Sequence, residues 1–288
     1  MNSGRAEMQE FTIAAPGEGP YGIAAGPDGA LWCTLVHAGA VCRVTVEGAV
    51  TRFPAGRAAV ITPGPDGALW FTRYSDGHIG RITVDGAVSA FAVPQAYGIA
   101  TGPDGALWFT ALQDGAVGRL GTDGSVTTFQ VPVPGSMPSM ITAGADGALW
   151  CTLNQADAVA RVTTDGAVTV FPLPTAGAAP VGITLGADGA VWFVEIGAGQ
   201  VGRITPDGKV SEYPLADRAA RPHAIVADPS GGCWFTEWAG NRIGHVTADG
   251  VVTAHELPTP ASEPHGLTIG PDGAVWAALE IGSLARLS

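Results

Sequence analysis

Apolar and polar residues alternate in short runs along the chain, and each run stops at a Gly-containing turn. Residues 98–129 show the pattern: "GIATG", then "PDG", then "ALWFT", then "AVGRL", then "TDG", then "SVTTF". Period-two alternation rich in β-branched and aromatic residues argues for strands, half-buried on a pleated surface. Asp-Gly between two such runs predicts a tight reversal, because glycine accepts the positive φ that hairpin turns need. No segment carries a helical period, so the expectation is an all-β chain.

The pattern repeats. "DGALW" occurs four times, "DGAVW" twice and "SGGCW" once, placing tryptophan at 32, 70, 108, 150, 192, 234 and 276. The spacings are 38, 38, 42, 42, 42 and 42 residues. Seven copies of a four-stranded antiparallel unit predict a seven-bladed β-propeller in one domain spanning 1–288. The last copy ends at "SLARLS" and lacks a fourth strand. The N-terminal "MQEFTI" supplies it: Phe11 lies 21 residues before Trp32, as Phe129 and Phe171 do before Trp150 and Trp192. Residues 8–13 are therefore expected to complete blade seven and remove its open edge.

Composition changes little in this picture. The 42 Gly and 22 Pro would suit a disordered chain, but 46% hydrophobic residues and eight Trp do not. The net charge of −12 argues against nucleic acid and anionic membranes as partners. No apolar run approaches the ~20 residues that cross a bilayer. The start "MNSGRAEMQEF" lacks an apolar signal core, so a cytoplasmic location is expected. Cys33, Cys42, Cys151 and Cys233 show no ligand spacing and are expected to pack as small apolar residues. Much of the acidity belongs to the repeat: Asp28, Asp66, Asp104, Asp146, Asp188 and Asp272 occupy one turn, and Arg43, Arg81, Arg119, Arg161 and Arg203 form a ladder on the third strand. The "GAGQVG" at 197–202 matches a dinucleotide fingerprint, but it lies between two strands with no helix to follow.

Function belongs where the repeat varies. In a propeller the first strand of each blade lines the channel, and the loops at its start share one face with those after the second strand. Eleven residues before each tryptophan stand Tyr21, Ala59, Tyr97, Ser139, Val181, His223 and His265. Thirteen before stand Gly19, Arg57, Gln95, Met137, Ala179, Arg221 and Glu263; four after stand Val36, Tyr74, Leu112, Asn154, Ile196, Trp238 and Glu280. These are rings around one mouth, and their titratable members gather in blades six and seven, with Tyr21 adjacent through closure. Loops of unequal length predict higher walls on one side and a concave, one-sided pocket. Glu18 reads as a solvated loop residue. Alternation turns Glu195 and Glu237 away from the axis. His37, His78, His245 and His255 fall outside the rings, His245 replacing a ladder arginine.

Taken singly, a channel histidine is ordinarily a hydrogen-bonded lining residue and a loop-end glutamate is ordinarily solvated. Together, Glu263 and Glu280 suit a hard cation such as Mg²⁺. A neutral His265 beside it could take a proton from a carbon next to a carbonyl.

The repeat "GPDGALWFT", with "RPHAI…WFTEW" and "EPHGL" followed by "ALE" in the last two blades, resembles the streptogramin B lyase (virginiamycin B lyase) family over essentially the whole chain. The resemblance implies a monomeric propeller and a carbon–oxygen lyase. Such an enzyme opens type B streptogramins, cyclic hexadepsipeptide antibiotics, by Mg²⁺-dependent β-elimination at the ester, which confers resistance. It implies Glu263 and Glu280 as metal ligands, His265 as the base, and His223 and Tyr21 as substrate contacts. One departure is Ala277, where the family commonly has phenylalanine after the tryptophan. A propeller lactonase or esterase and a non-catalytic ligand-binding propeller are the alternatives. Asn154 is the single asparagine in the three rings, and a lactonase site would draw on more.

Overall fold

The computed structural model describes residues 7–288. It contains seven four-stranded antiparallel sheets, each a consecutive meander except the last. Blade one runs Pro20–Ala25, Leu31–Leu35, Ala40–Val44 and Val50–Pro54. Blade seven takes Pro264–Ile269, Val275–Leu279 and Ser283–Leu287 from the C-terminal end and Met8–Thr12 from the N-terminal end. The closing strand pairs from Met8 with Leu287 through to Thr12 with Ser283. Phe11 packs on Trp276 at 5.2 Å between ring centroids, the place that strand-four aromatics hold in other blades. Single 3₁₀ turns at Tyr74–Asp76 and Asn154–Ala156 interrupt the strand pattern.

The two charge ladders of the sequence are one device. In blade one, Asp28 Oδ1 accepts the Trp32 indole N–H at 3.1 Å and its Oδ2 accepts Arg43 Nε at 2.6 Å. The same carboxylate joins Trp70 to Arg81, Trp108 to Arg119, Trp150 to Arg161 and Trp192 to Arg203. Blade seven extends it to Trp276 and Arg286. Each such tryptophan is almost wholly buried. Blade six differs because "SGGCW" puts Ser230 in the aspartate slot. Asp228, two residues earlier, instead pairs with His245 at 2.9 Å, and Trp234 lies tilted against that imidazole at 4.4 Å between ring centroids.

A second device joins neighbouring blades. Thr34 Oγ1 accepts from the Gly22 N–H at 2.8 Å and donates to the Ala59 carbonyl of blade two at 2.6 Å. Thr72, Thr110, Thr152 and Thr236 make the same pair of bonds. Val194 and Ala278 take this position in blades five and seven. The four cysteines are free and buried, with thiols pushed up by burial, as their packing role predicts. Among the described residues no helix is long and apolar enough to cross a membrane.

Candidate functional site at the channel mouth

The innermost strand of a blade does not run straight into the mouth. Its register against the second strand shifts between Pro20 and Ile23 in blade one, Pro222 and Ile225 in blade six, and Pro264 and Leu267 in blade seven. A bulge re-aims the side chain it carries. Tyr21, His223 and His265 sit at these shifts, and their rings meet. His265 lies 4.7 Å from Tyr21 and 5.1 Å from His223 between centroids, and Tyr21 lies 5.9 Å from His223. Gly266, just after His265, leaves no room for a side chain: a Cβ there would stand 2.6 Å from the Tyr21 carbonyl.

Glu263 and Glu280 approach His265 from the two loops of blade seven. Glu263 is exposed and takes a left-handed backbone, φ 49°. Met137, Ala179 and Arg221 at the same position do likewise, so the conformation belongs to the loop frame. It lets the Glu263 carbonyl accept the Glu280 N–H at 3.3 Å. Glu280 Oε2 is hydrogen-bonded to His265 Nε2. One ligand atom from each of Glu263, His265 and Glu280 can be chosen so that all lie within 4.8 Å of one another, a separation a single cation can bridge. The two carboxylates offer the oxygen donors that fit Mg²⁺ or a similar hard ion, with the His265 imidazole beside them. The structure thus brings together all five residues that the sequence rings singled out.

Electrostatics divides the histidines. Burial pushes His223 down to about 3, and repulsion from His265 adds to the shift, so its imidazole is neutral. His223 Nδ1 and His265 Nδ1 are both buried without a partner. Burial works to raise the Glu280 carboxyl, but hydrogen bonds and charge from His265 and His37 outweigh it and hold the group below the usual range. Burial raises the Tyr21 phenol well above its ordinary value, and Tyr97 and Glu280 push the same way.

Tyr21 and Tyr97 reach across from blades one and three and share a 2.8 Å hydrogen bond between hydroxyls. This bridge separates two spaces. Below it the channel holds a cavity of about 240 Å³ lined by strand residues such as Ile99, Ser139 and Met140. Above it a pocket of about 520 Å³ opens beside His37, Arg57, Tyr74 and Leu112. The open pocket lies on the blade one to three side, where the loops are shortest, as unequal walls predict.

Two residues depart from the sequence reading. Glu18 is no solvated bystander: it accepts the Ala15 N–H at 2.7 Å and both terminal nitrogens of Arg52, at 3.0 and 2.8 Å. Alternation within one loop could not reveal a partner 34 residues away. His37, set aside because it falls one residue past the ring, places Nε2 3.3 Å from Glu280 Oε1. The contact crosses the seam between blade one and blade seven. Its one sequence signal is the opposite glycine: a Cβ on Gly19 would come within 2.6 Å of the His37 ring. Glu195 and Glu237 turn away from the axis as expected, and both are buried.

A seven-bladed propeller with a carboxylate–imidazole cluster at its mouth defines the class of protein. The chain matches the Virginiamycin B lyase family over residues 6–287, and it belongs to that family. A solved streptogramin B lyase is 39% identical with a TM-score of 0.94, covering 98% of this chain and 97% of that one. A catalytically inactive histidine-to-alanine variant of virginiamycin B lyase from Staphylococcus aureus, solved with quinupristin, is 36% identical with a TM-score of 0.94 and 99% coverage of each. A virginiamycin B lyase from Mycobacterium sp. (strain KMS) is 69% identical over 36 residues, a match spanning 12% of this chain and 13% of that protein.

Proposed function

We propose that this protein is a Mg²⁺-dependent lyase that linearises type B streptogramins by β-elimination at their ester bond. The observation that carries the reading is the Glu263–His265–Glu280 cluster at the mouth of a propeller of this family. The inactivity of a histidine-to-alanine relative supports a histidine as the essential base.

Glu263 and Glu280 would hold the ion, which supplies positive charge that acidifies a C–H bond beside a carbonyl. His265 would take the α proton of the threonyl residue at Nε2, its nitrogen that is not enclosed, in the tautomer that carries its hydrogen on Nδ1; the Glu280 oxygen that faces Nε2 here would be engaged by the ion instead. The C–H electron pair becomes a Cα=Cβ double bond as the bond from Cβ to the ester oxygen breaks. The products are a dehydrobutyryl unit and a carboxylate within one linear chain. A carboxylate departs without needing a proton, so a neutral His223 serves by packing against His265 and positioning the substrate. Tyr21, at the boundary of pocket and channel, provides a floor and a hydroxyl for the macrocycle.

Incubation with quinupristin, with and without Mg²⁺, followed by mass spectrometry tests this. The expected product is linear, unchanged in mass, with a new alkene chromophore, and appears only with the metal. A gain of one water identifies a hydrolase instead. Recovery of unaltered compound with saturable binding identifies a binding propeller.

A further inference from the structure

We propose that His37 is a positioning residue for Glu280, holding one carboxylate oxygen so that the other is presented to the metal beside His265. The inference rests on the reading of Glu263 and Glu280 as metal ligands.

Glu280 offers two oxygens, and the structure spends them separately: Oε2 on His265 and Oε1 on His37, the latter at 3.3 Å. His37 does not belong to the set whose ligand atoms lie within 4.8 Å of one another. Its contact is with the carboxylate, so it acts through Glu280. A neutral imidazole carrying its hydrogen on Nε2 is enough for this bond. Outer hydrogen bonds of this kind orient a ligand and stop it from swinging away or chelating with both oxygens.

The placement of His37 is built. Its N–H donates to the Glu18 carbonyl at 3.2 Å, and the preceding Val36 N–H donates to the Gly19 carbonyl at 2.9 Å. Glu18 is itself clamped by Arg52 and the Ala15 N–H. Gly19, at φ 66°, adopts a backbone and a clearance that a side chain would spoil. The loop before blade one is therefore a brace that carries a histidine from the first blade to a carboxylate of the last. The His37 side chain also keeps 54% of its surface exposed and lines the open pocket.

The test is Mg²⁺ affinity by calorimetry and Mn²⁺ affinity by electron paramagnetic resonance, without substrate, on the full chain. His37→Phe is expected to weaken binding by about 10–100-fold, the usual loss when a ligand's outer partner is removed. His37→Gln, which keeps a donor, should recover most of that loss. Gly19→Ala alters neither partner but displaces the ring, and should reproduce part of it. A His37→Phe variant that binds both ions like the parent overturns the proposal. So does one that loses melting temperature alone, since that marks a seam contact. If the parent binds neither ion, the metal reading falls and this inference with it; if the parent binds and the variant is indifferent, this inference alone falls.

Discussion

Thr236 of blade six carries the backbone of His265 in blade seven. Its Oγ1 donates to the His265 carbonyl at 2.8 Å while accepting the Ala224 N–H at 3.0 Å. One buried hydroxyl thus fixes the innermost strands of two blades at the height of the site. Val194 and Ala278 hold the equivalent positions below His223 and Tyr21, so the proposed base is the site residue that receives the clip.

Thr236→Val keeps the shape of the side chain and deletes both bonds. It leaves a buried carbonyl and a buried N–H without their partner, which costs about 1–3 kcal/mol. The denaturant midpoint should fall with an unchanged slope, and turnover should fall with it. A variant with parental midpoint and turnover would remove the clip from any account of the site.

His265→Ala should abolish turnover while melting near the parent, since the bulged backbone does not depend on the ring. Burial holds His223 down to about 3, so it is uncharged around neutral pH. The pH profile of turnover should therefore carry no limb from it, and His223→Asn should raise KM and leave the profile's shape intact. Near-parental turnover in His265→Ala would sink the proposed chemistry; an altered profile in His223→Asn would show that His223 titrates in the working range.

Glu195 predicts a pH-dependent stability. Buried beside Gln200, it has its carboxyl raised by desolvation from 4.5 to about 8; the Gln200 bond opposes this, and Glu212 and Asp157 reinforce it. The folded state then binds more protons than the unfolded state between those values, so stability falls as pH rises. Its contribution is fully present below 4.5 and gone above about 8. Glu195→Gln should flatten this part of the curve, a difference on the order of a few kcal/mol between its ends. Glu237 is also raised, chiefly by burial, so the comparison must be parent against variant. Parallel curves for the two would refute the assignment.

Deleting residues 1–13 should lower the melting temperature sharply and promote aggregation. Blade seven loses its fourth strand, Trp276 loses Phe11, and the Ser283–Leu287 edge is bared. A truncated chain that melts with the parent would overturn the closure.

Tryptophan spacing and Asp-Gly turns were enough to read blade number, strand order and the closing strand, because local turn chemistry and period-two burial dictate each blade. The rings at fixed distances from tryptophan were enough to collect His265, His223, Tyr21, Glu263 and Glu280, because every blade repeats one frame. Glu18 and His37 escaped that reading. Their partners come from another strand and another blade, and neither shares a register with the tryptophan count. The bulge beneath each mouth residue was equally silent, since a register shift appears only when two strands pair.

By itself the sequence determined a closed seven-bladed propeller and the five residues at one mouth, for repeated local patterning is a one-dimensional property. The tertiary structure alone decided that Tyr21 and Tyr97 floor the pocket, that Glu280 divides its oxygens between His265 and His37, and that His223 is held neutral. Those facts depend on distances across seams and on the depth of burial. They exist only once the seven blades have closed into one ring.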